Sequence, residues 1–205
     1  MDAITESPAT FALIAINILV SLFAFSNARF MERNTFHVGP ILRGGEYSRM
    51  FSSGFLHVDG THLFMNMFVL FVFGPDLEAE LGSAGFVFVY VGALLAGSGW
   101  ALLERRREPN YRAVGASGAV SGILVAVCLY DPFQLLLLFG LIPAPAIVFA
   151  IGYIAISAAL SGRPNSMIGH EAHLGGALGG LLLTLLSDPT ALSTFSQQVA
   201  ERLGG

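Results

Sequence analysis

Apolar residues are concentrated in long runs, and short polar links separate these runs along the chain. The stretch "FALIAINILVSLFAF" (11–25) and several others approach the ~20 apolar residues that a helix needs to cross a bilayer. No segment is predicted as a strand. The predicted helices cover residues 8–27, 61–79, 84–104, 116–131, 144–161 and 170–187. This pattern predicts an all-α polytopic membrane protein, with six transmembrane helices bundled in a single domain over residues 1–205.

Two connections between these helices differ from short polar links. Residues 28–60 form a long first loop, which we expect to associate with the membrane. In "DPFQLLLLFGLIPAP" (131–145), Pro143 and Pro145 would break a helix running through the segment. Residues 133–142 are therefore predicted as an apolar connection. Only a short tail, without a predicted helix, follows the sixth helix.

Composition supports a multi-pass integral membrane protein in contact with the lipid bilayer, which we place in the cell membrane. The chain is 54% hydrophobic and 12% charged, with a mean hydropathy of +0.70. Soluble domains carry about 25% charged residues. The net charge of −4 and the lack of a basic stripe exclude a nucleic-acid-binding protein. The single cysteine, Cys128, excludes an internal disulfide and a four-cysteine metal site.

Three predicted helices carry polar side chains at depths where such groups are costly and usually functional. His62 and Asn66 lie four residues apart on the second helix and therefore share one face. Ser117 begins the fourth helix, and His173 lies near the start of the sixth. Histidine is the usual base that activates a serine nucleophile.

Glycine stripes offer a way to bring Ser117 and His173 together. Gly176 and Gly180 follow His173 at small-xxx-small spacing, and Gly118 and Gly122 form a similar pair on the fourth helix. If these faces pack together, Ser117 and His173 come within hydrogen-bonding reach.

Acyl transfer also needs hydrogen-bond donors for the developing oxyanion. The side chains of His62 and Asn66 and the backbone N–H of Ser117, in the first turn of its helix, would supply them. The three groups complete the inventory of a hydrolase.

Other interpretations of these residues stay open. Ser117 alone is compatible with a packing serine, and His62 with a hydrogen bond between helices. "GASG" (115–118) is not the G-x-S-x-G nucleophile elbow, which follows a strand. "HEAH" (170–173) has one residue fewer than the zinc motif H-E-x-x-H, so we expect no metal. A small transporter would need charged residues along a path through the membrane, and the sequence offers none.

With these residues the sequence resembles the rhomboid family of intramembrane serine proteases. "HLFMN" (62–66) fits the family's H-x-x-x-N motif, "GASG" fits G-x-S-G, and "AHLGGALGG" (172–180) fits A-H-x-x-G-x-x-x-G. The resemblance extends to Gly74, Glu78 and Gly82, which fit G-x-x-x-E-x-x-x-G, and to "SRMFSSGFLH" (48–57) in the first loop.

The resemblance implies a six-helix fold with a Ser–His dyad in a water-filled cavity below the membrane surface. Ser117 is the implied nucleophile and His173 the implied base, without a third acid, metal or other cofactor. The oxyanion donors are the His62, Asn66 and Ser117 groups named above. The substrate would be a transmembrane segment of another protein, cut near a small residue.

Supporting roles fall to several further positions. Gly115 would keep bulk away from the nucleophile, Arg49 belongs to the first-loop signature, and Glu78 is expected to cap a helix end. His57 and His170 are interpreted either as structural groups or as groups that support the reacting residues from behind. Residues 161–169 would cover the cavity.

The sequence departs from the family pattern at two positions. Ser48 precedes Arg49 where the family has Trp, which leaves the anchoring of the first loop open. Ser121 stands four residues after Ser117, where some members have a Tyr that stacks on the catalytic histidine. Another residue must then hold the His173 ring, or the ring is looser.

Two questions stay open at the level of sequence. A catalytically silent rhomboid-like binding or chaperone factor is the alternative function, although it would need neither Ser117 nor His173. Nine of the ten arginines fall on the side of the membrane that carries the first loop, which the positive-inside rule assigns to the cytoplasm. The resemblance implies the opposite orientation, with both termini cytoplasmic, and we favour it.

Overall fold

The computed structural model describes residues 3–138, 142–160 and 169–204, and these are mostly helical. The helices are α1 Ala3–Glu6, α2 Pro8–Phe25, α3 Ala28–Asn34, α4 Val38–Gly44, α5 Ser48–Ser52, α6 Gly60–Arg105, α7 Ser117–Tyr130, α8 Ala146–Leu160, α9 His170–Ser187 and α10 Ala191–Arg202. The strands are β1 Phe36–His37, β2 Arg112–Ala113, β3 Leu135–Leu138 and β4 Ile142–Pro145.

Helices α2 and α6 are long and apolar enough to cross a membrane. Helices α9 and α10 meet the same test only together, and they are bent by 104° relative to each other. The 46 residues of α6 would exceed twice the hydrocarbon thickness of a bilayer as one rod, but the helix is interrupted at Gly82, which has φ 68° and ψ 165°. The two parts correspond to the predicted second and third helices. The total of six membrane spans remains a prediction.

The core contains side chains from both parts of α6. Leu70 and Leu77 before the break at Gly82, and Phe86 and Tyr90 after it, belong to one buried cluster. Ile123 of α7 is buried in the same cluster. Large apolar side chains on the outer faces are exposed, as expected for surfaces that contact lipid: Leu19, Phe71, Phe88, Ile151 and Leu186.

The prediction that the chain has no strands was wrong. Strand β1 pairs antiparallel with β2, and β3 pairs with β4, so residues 133–142 are not a simple connection. The pairing satisfies backbone groups of an apolar segment that its prolines keep from forming a helix. Strands of two to four residues are too short to show a hydropathy period.

The tail after α9 is also more ordered than predicted, because residues 191–202 form α10. The Asp188 carboxylate accepts hydrogen bonds from the N–H and hydroxyl of Thr190 at the turn before α10. Gln198 then donates a side-chain hydrogen bond to the Tyr130 carbonyl at the end of α7.

Arg49 anchors the first loop, which is folded into α3, α4 and α5. Its guanidinium donates to the carbonyl oxygens of Glu32 (2.6 Å) and Thr35 (3.1 Å), at the end of α3, and to the Glu46 carboxylate (2.6 Å). The arginine is buried. The loop is therefore held by charge-assisted bonds although Ser48 stands where the family has Trp.

Candidate active site

Ser117 is the first residue of α7, and the segment before it is tied to the first loop. Phe36 of β1 pairs with Ala113 of β2, and the N–H of Gly115 donates to the Ser53 carbonyl at 3.0 Å. Gly115 has φ +134°, a backbone conformation that disfavours other residues. The turn into α7 is thus fixed on both sides, with the Ser117 hydroxyl at the head of the helix.

The space at Gly115 is shared by Ser117 and His62. A Cβ atom on Gly115 would stand 2.7 Å from His62 Cε1, 3.0 Å from His62 Nε2 and 3.7 Å from Ser117 Oγ. The imidazole and the hydroxyl therefore both lie beside Gly115, and the His62 ring packs closely against its backbone.

His62 is held by the cap of its own helix. The Asp59 carboxylate accepts a hydrogen bond from the His62 backbone N–H at 2.7 Å, which fixes the first turn of α6. Asn66 lies one turn further and is buried, and its Nδ2 donates to the His62 carbonyl at 2.9 Å. One of the two Asn66 amide protons is thus used within the helix, and one is left for the site. Asp59 was not predicted, although an Asp before an apolar run is a typical helix-start signal.

Helix α9, which carries His173, packs on α7 at glycines. A Cβ on Gly176 would stand 2.1 Å from the Gly118 carbonyl oxygen, and one on Gly180 would stand 2.3 Å from Gly122 Cα. The two predicted stripes therefore meet. No hydrogen bond joins the Ser117 hydroxyl and the His173 ring in the described segments, and that bond stays a prediction.

The ring of His173 is covered by Tyr153, a residue of α8 that the sequence did not point to. The two rings are stacked, with centroids 5.4 Å apart and planes 25° apart. The Tyr153 hydroxyl lies 2.8 Å from Ser121 Oγ, which in turn donates to the Ser117 carbonyl. Ser121 thus occupies the position where some relatives have a stacking Tyr. The stacking ring comes instead from Tyr153 of α8, whose hydroxyl lies against Ser121.

His57 supports the turn before Ser117. Its Nε2 accepts from the Ala116 N–H at 3.4 Å, so Nδ1 carries the proton toward Ser21 Oγ at 2.8 Å. Ser21 donates onward to the Phe55 carbonyl at 3.0 Å. Burial, followed by the nearby His62, lowers the pKa of His57 to about 3. His57 is therefore neutral, as both of its hydrogen bonds require.

Comparison with known proteins identifies the family. The sequence profile of the rhomboid domain matches residues 44–188, well over half of the chain, including every candidate site residue. The chain belongs to the rhomboid family. Its relatives include the Bacillus subtilis protein named "Putative rhomboid protease YdcA", 36% identical over 143 residues that cover 69% of this chain and 68% of that protein.

Mitochondrial rhomboids are also similar to this one. RHOMBOID-like protein 12 of Arabidopsis thaliana is 29% identical over 74% of this chain and 49% of its own length. Rhomboid protein 1 of Saccharomyces cerevisiae is 34% identical over 63% of this chain and 39% of its own length. This chain therefore spans half or less of those two relatives.

Glu78 of this rhomboid caps a helix. Its carboxylate accepts from the N–H groups of Ala9 (2.9 Å) and Thr10 (2.7 Å) at the start of α2, and from the hydroxyls of Thr10 and Ser83. A carboxylate at a helix N-terminus is stabilised by the helix dipole. The hydrogen bonds of the Glu78 carboxylate therefore join α2 to α6.

The start of α9 is held by a buried ion pair. Arg105, at the end of α6, donates to the Glu171 carboxylate, and both side chains are buried. Tyr111 also donates to Glu171, and the Arg105 guanidinium lies over its ring. Burial, with a contribution from the Glu171 charge, raises the pKa of Tyr111. Glu171 precedes His173 by two residues. The Arg105–Glu171 ion pair therefore fixes the helical turn that carries the His173 ring.

A small cavity opens beside Ser117, with a volume of about 30 Å³. Polar groups of Ser53 and Ser98 and small residues such as Ala113 and Ala172 line it. The space is sufficient for a water molecule. Across residues 3–138, 142–160 and 169–204, no group of three or more His, Cys, Asp or Glu side chains is arranged for a metal ion. The proposed cover at residues 161–169 lies, apart from Gly169, outside the described residues.

Proposed function

We propose that this rhomboid is an intramembrane serine endopeptidase that cleaves transmembrane segments of other proteins through a Ser117–His173 dyad. The observation that carries the proposal is the closeness of the Ser117 hydroxyl and the His62 ring, which both lie beside Gly115. The glycine contacts between α7 and α9 support it, because they bring the helix of His173 to the helix of Ser117. The family and a relative named as a protease agree with this reaction class.

The chemistry follows from these positions. Ser117 Oγ attacks the peptide carbonyl carbon while His173 takes the hydroxyl proton. The tetrahedral oxyanion accepts hydrogen bonds from His62, Asn66 and the Ser117 N–H. As the C–N bond breaks, His173 gives its proton to the leaving amine. Water, activated by His173, then hydrolyses the acyl-enzyme and releases Ser117.

The surroundings of Ser117 favour a small side chain next to the cut bond. Ala113 and Ala172, both small, line the cavity beside the nucleophile. The exposed apolar faces of the helices suit a substrate that is itself a membrane helix. No cofactor enters this chemistry.

Cleavage by the purified protein tests the proposal. The protein, in detergent or in lipid vesicles, would be given a model transmembrane substrate with an alanine-rich segment. We expect cleavage by the wild type and none by Ser117→Ala or His173→Ala. Undiminished cleavage by Ser117→Ala would contradict the mechanism, and no cleavage by any form would favour the silent binding factor.

Removal of a single oxyanion donor should have a characteristic effect on kcat and KM in the same assay. Asn66→Ala and His62→Ala are expected to lower kcat by about 100-fold, the usual effect of one lost donor, with little change in KM. Asp59→Ala is the comparison variant, because it loosens the cap that holds His62 and removes no donor from the site. Its effect on kcat should be smaller.

We place the protein in the cell membrane. The Arabidopsis and yeast relatives are named as mitochondrial, which makes a mitochondrial membrane the alternative location. Fractionation of the source cells, with markers for the cell membrane and for mitochondria, distinguishes the two.

A further inference from the structure

We infer that Tyr153 is the positioning residue for the base of the proposed reaction, with Ser121 as the group that holds it. This inference rests on the proposed function for its catalytic meaning. Its physical basis is the stacking of the Tyr153 ring on the His173 ring, 5.4 Å between centroids and 25° between planes.

His173 needs an external support because its own hydrogen bonds do not orient it. In the described segments, His173 Nδ1 is buried and has no hydrogen-bond partner. In a serine triad that atom donates to a carboxylate, which fixes the tautomer and the direction of the ring. Here orientation depends on packing, with Tyr153 on the face of the ring and His170 meeting it edge-on at 5.6 Å.

Hydrogen bonds fix the position of Tyr153 in turn. Ser121 Oγ donates its one proton to the Ser117 carbonyl at 2.5 Å, so the Tyr153 hydroxyl must donate to Ser121 Oγ at 2.8 Å. The chain of bonds ends on the backbone of the nucleophile. Tyr153 therefore contacts the base with its ring and is tied to the nucleophile's own residue through its hydroxyl.

This arrangement assigns a purpose to the serine at position 121. A side chain there larger than serine would meet the Tyr153 hydroxyl, because Ser121 is 1% exposed and already in contact with it. Serine fits the space and accepts the hydrogen bond. Helix α8 thus supplies the stacking ring of Tyr153, and α7 supplies Ser121 as the hydrogen-bond acceptor.

Kinetics of matched variants test the inference. Tyr153→Leu should lower kcat by about tenfold with KM within about twofold, since it removes an aromatic stack on the base and leaves the substrate contacts. Tyr153→Phe keeps the stack and should stay within about threefold of the wild type. Ser121→Ala and Tyr153→Phe break the same hydrogen bond, so their effects should not add.

Phe149→Leu is the control for lost packing on α8. Phe149 stacks on Tyr153 with centroids 6.2 Å apart, but no ring contact joins Phe149 to His173 in the described segments. We expect a loss of thermal stability similar to that of Tyr153→Leu and kcat within about twofold of the wild type. Equal losses of kcat in both variants would overturn the positioning role.

A measurement without catalysis separates this inference from the proposed function. The protein carrying Ser117→Ala would be labelled with ¹³Cε1-histidine, and the His173 signal assigned by its loss in His173→Gln. The stacked tyrosine should shift this signal upfield, and the shift should vanish in Tyr153→Leu and remain in Tyr153→Phe. An unchanged signal in Tyr153→Leu would overturn the inference. A wild type that cleaves no substrate would instead contradict the proposed function.

Discussion

Gly176 of α9 lies directly against Gly118 of α7, and a Cβ on Gly176 would stand 2.1 Å from the Gly118 carbonyl oxygen. A real Cβ cannot occupy that position, because the obstacle is backbone and cannot turn away. The closeness of these two residues sets the distance between the helices that carry Ser117 and His173.

Gly176→Ala should separate α9 from α7. Overpacking of this kind costs about 1–3 kcal/mol, which corresponds to a fall of several degrees in melting temperature. We expect cleavage to fall by at least about tenfold, because His173 moves away from Ser117. Gly99→Ala is the control, since nothing lies within 4 Å of its added Cβ. Loss of cleavage in Gly99→Ala as well would contradict this account.

Gly115→Ala should displace the His62 ring relative to Ser117. The added methyl group would meet His62 Cε1 at 2.7 Å, and the φ of +134° is strained for alanine. A displacement near 1 Å at a reacting group can cost about 100-fold, and we expect a loss of kcat of that order. Gly45→Ala has a positive φ of +70° but no neighbour within 4 Å. It should lose stability without losing kcat, and comparison of the two separates strain from obstruction.

Glu171→Gln should destabilise the protein strongly. It removes the buried carboxylate partner of Arg105, which keeps the more exposed Glu108 carboxylate, and breaking a buried ion pair costs up to about 3–5 kcal/mol. Glu32→Gln breaks the exposed pair with Arg112, where both side chains are half-exposed, and should cost no more than about 1 kcal/mol. Unfolding in mixed micelles measures both. Similar free energies of unfolding for the two variants would show that the buried pair contributes little.

Acid should weaken the turn before Ser117 through His57. The pKa of His57 is about 3 in the folded protein and 6.5 in an exposed histidine, so the unfolded chain binds the proton first. The stabilisation is complete above pH 6.5 and decreases as the pH falls toward 3. Melting temperatures at pH 7.5 and pH 4.5 should differ more in the wild type than in His57→Gln. An equal decrease in both would exclude His57 as the source.

The loop that precedes Ser117 should lie outside the cytoplasm. Asn110 is exposed in this loop, and Gln197 is exposed on α10. In a Cys128→Ala background, a membrane-impermeant maleimide should label Asn110→Cys in intact cells and Gln197→Cys only after lysis. The reverse pattern would show that the arginine distribution sets the orientation.

The sequence by itself determined the long apolar helices, because long apolar runs and glycine spacing are local properties that the chain shows directly. The sixth predicted helix and α9 have the same bounds, residues 170–187, and the stripes of Gly118 and Gly176 meet as their spacing predicts. The candidate site residues could also be read from their spacing, since each motif lies within one helix or at its start.

Only the tertiary structure decided which side chains, distant in sequence, contact the candidate site residues on these helices. Tyr153 comes to His173 from a separate helix, and it bonds Ser121 across 32 residues of sequence. His57 likewise supports Ala116 across 59 residues. Hydropathy patterns carry no information on such pairs, because a contact between helices depends on how their backbones cross and not on spacing within either one. The sequence therefore specified the proposed reacting groups, and packing between helices decided what holds them in place.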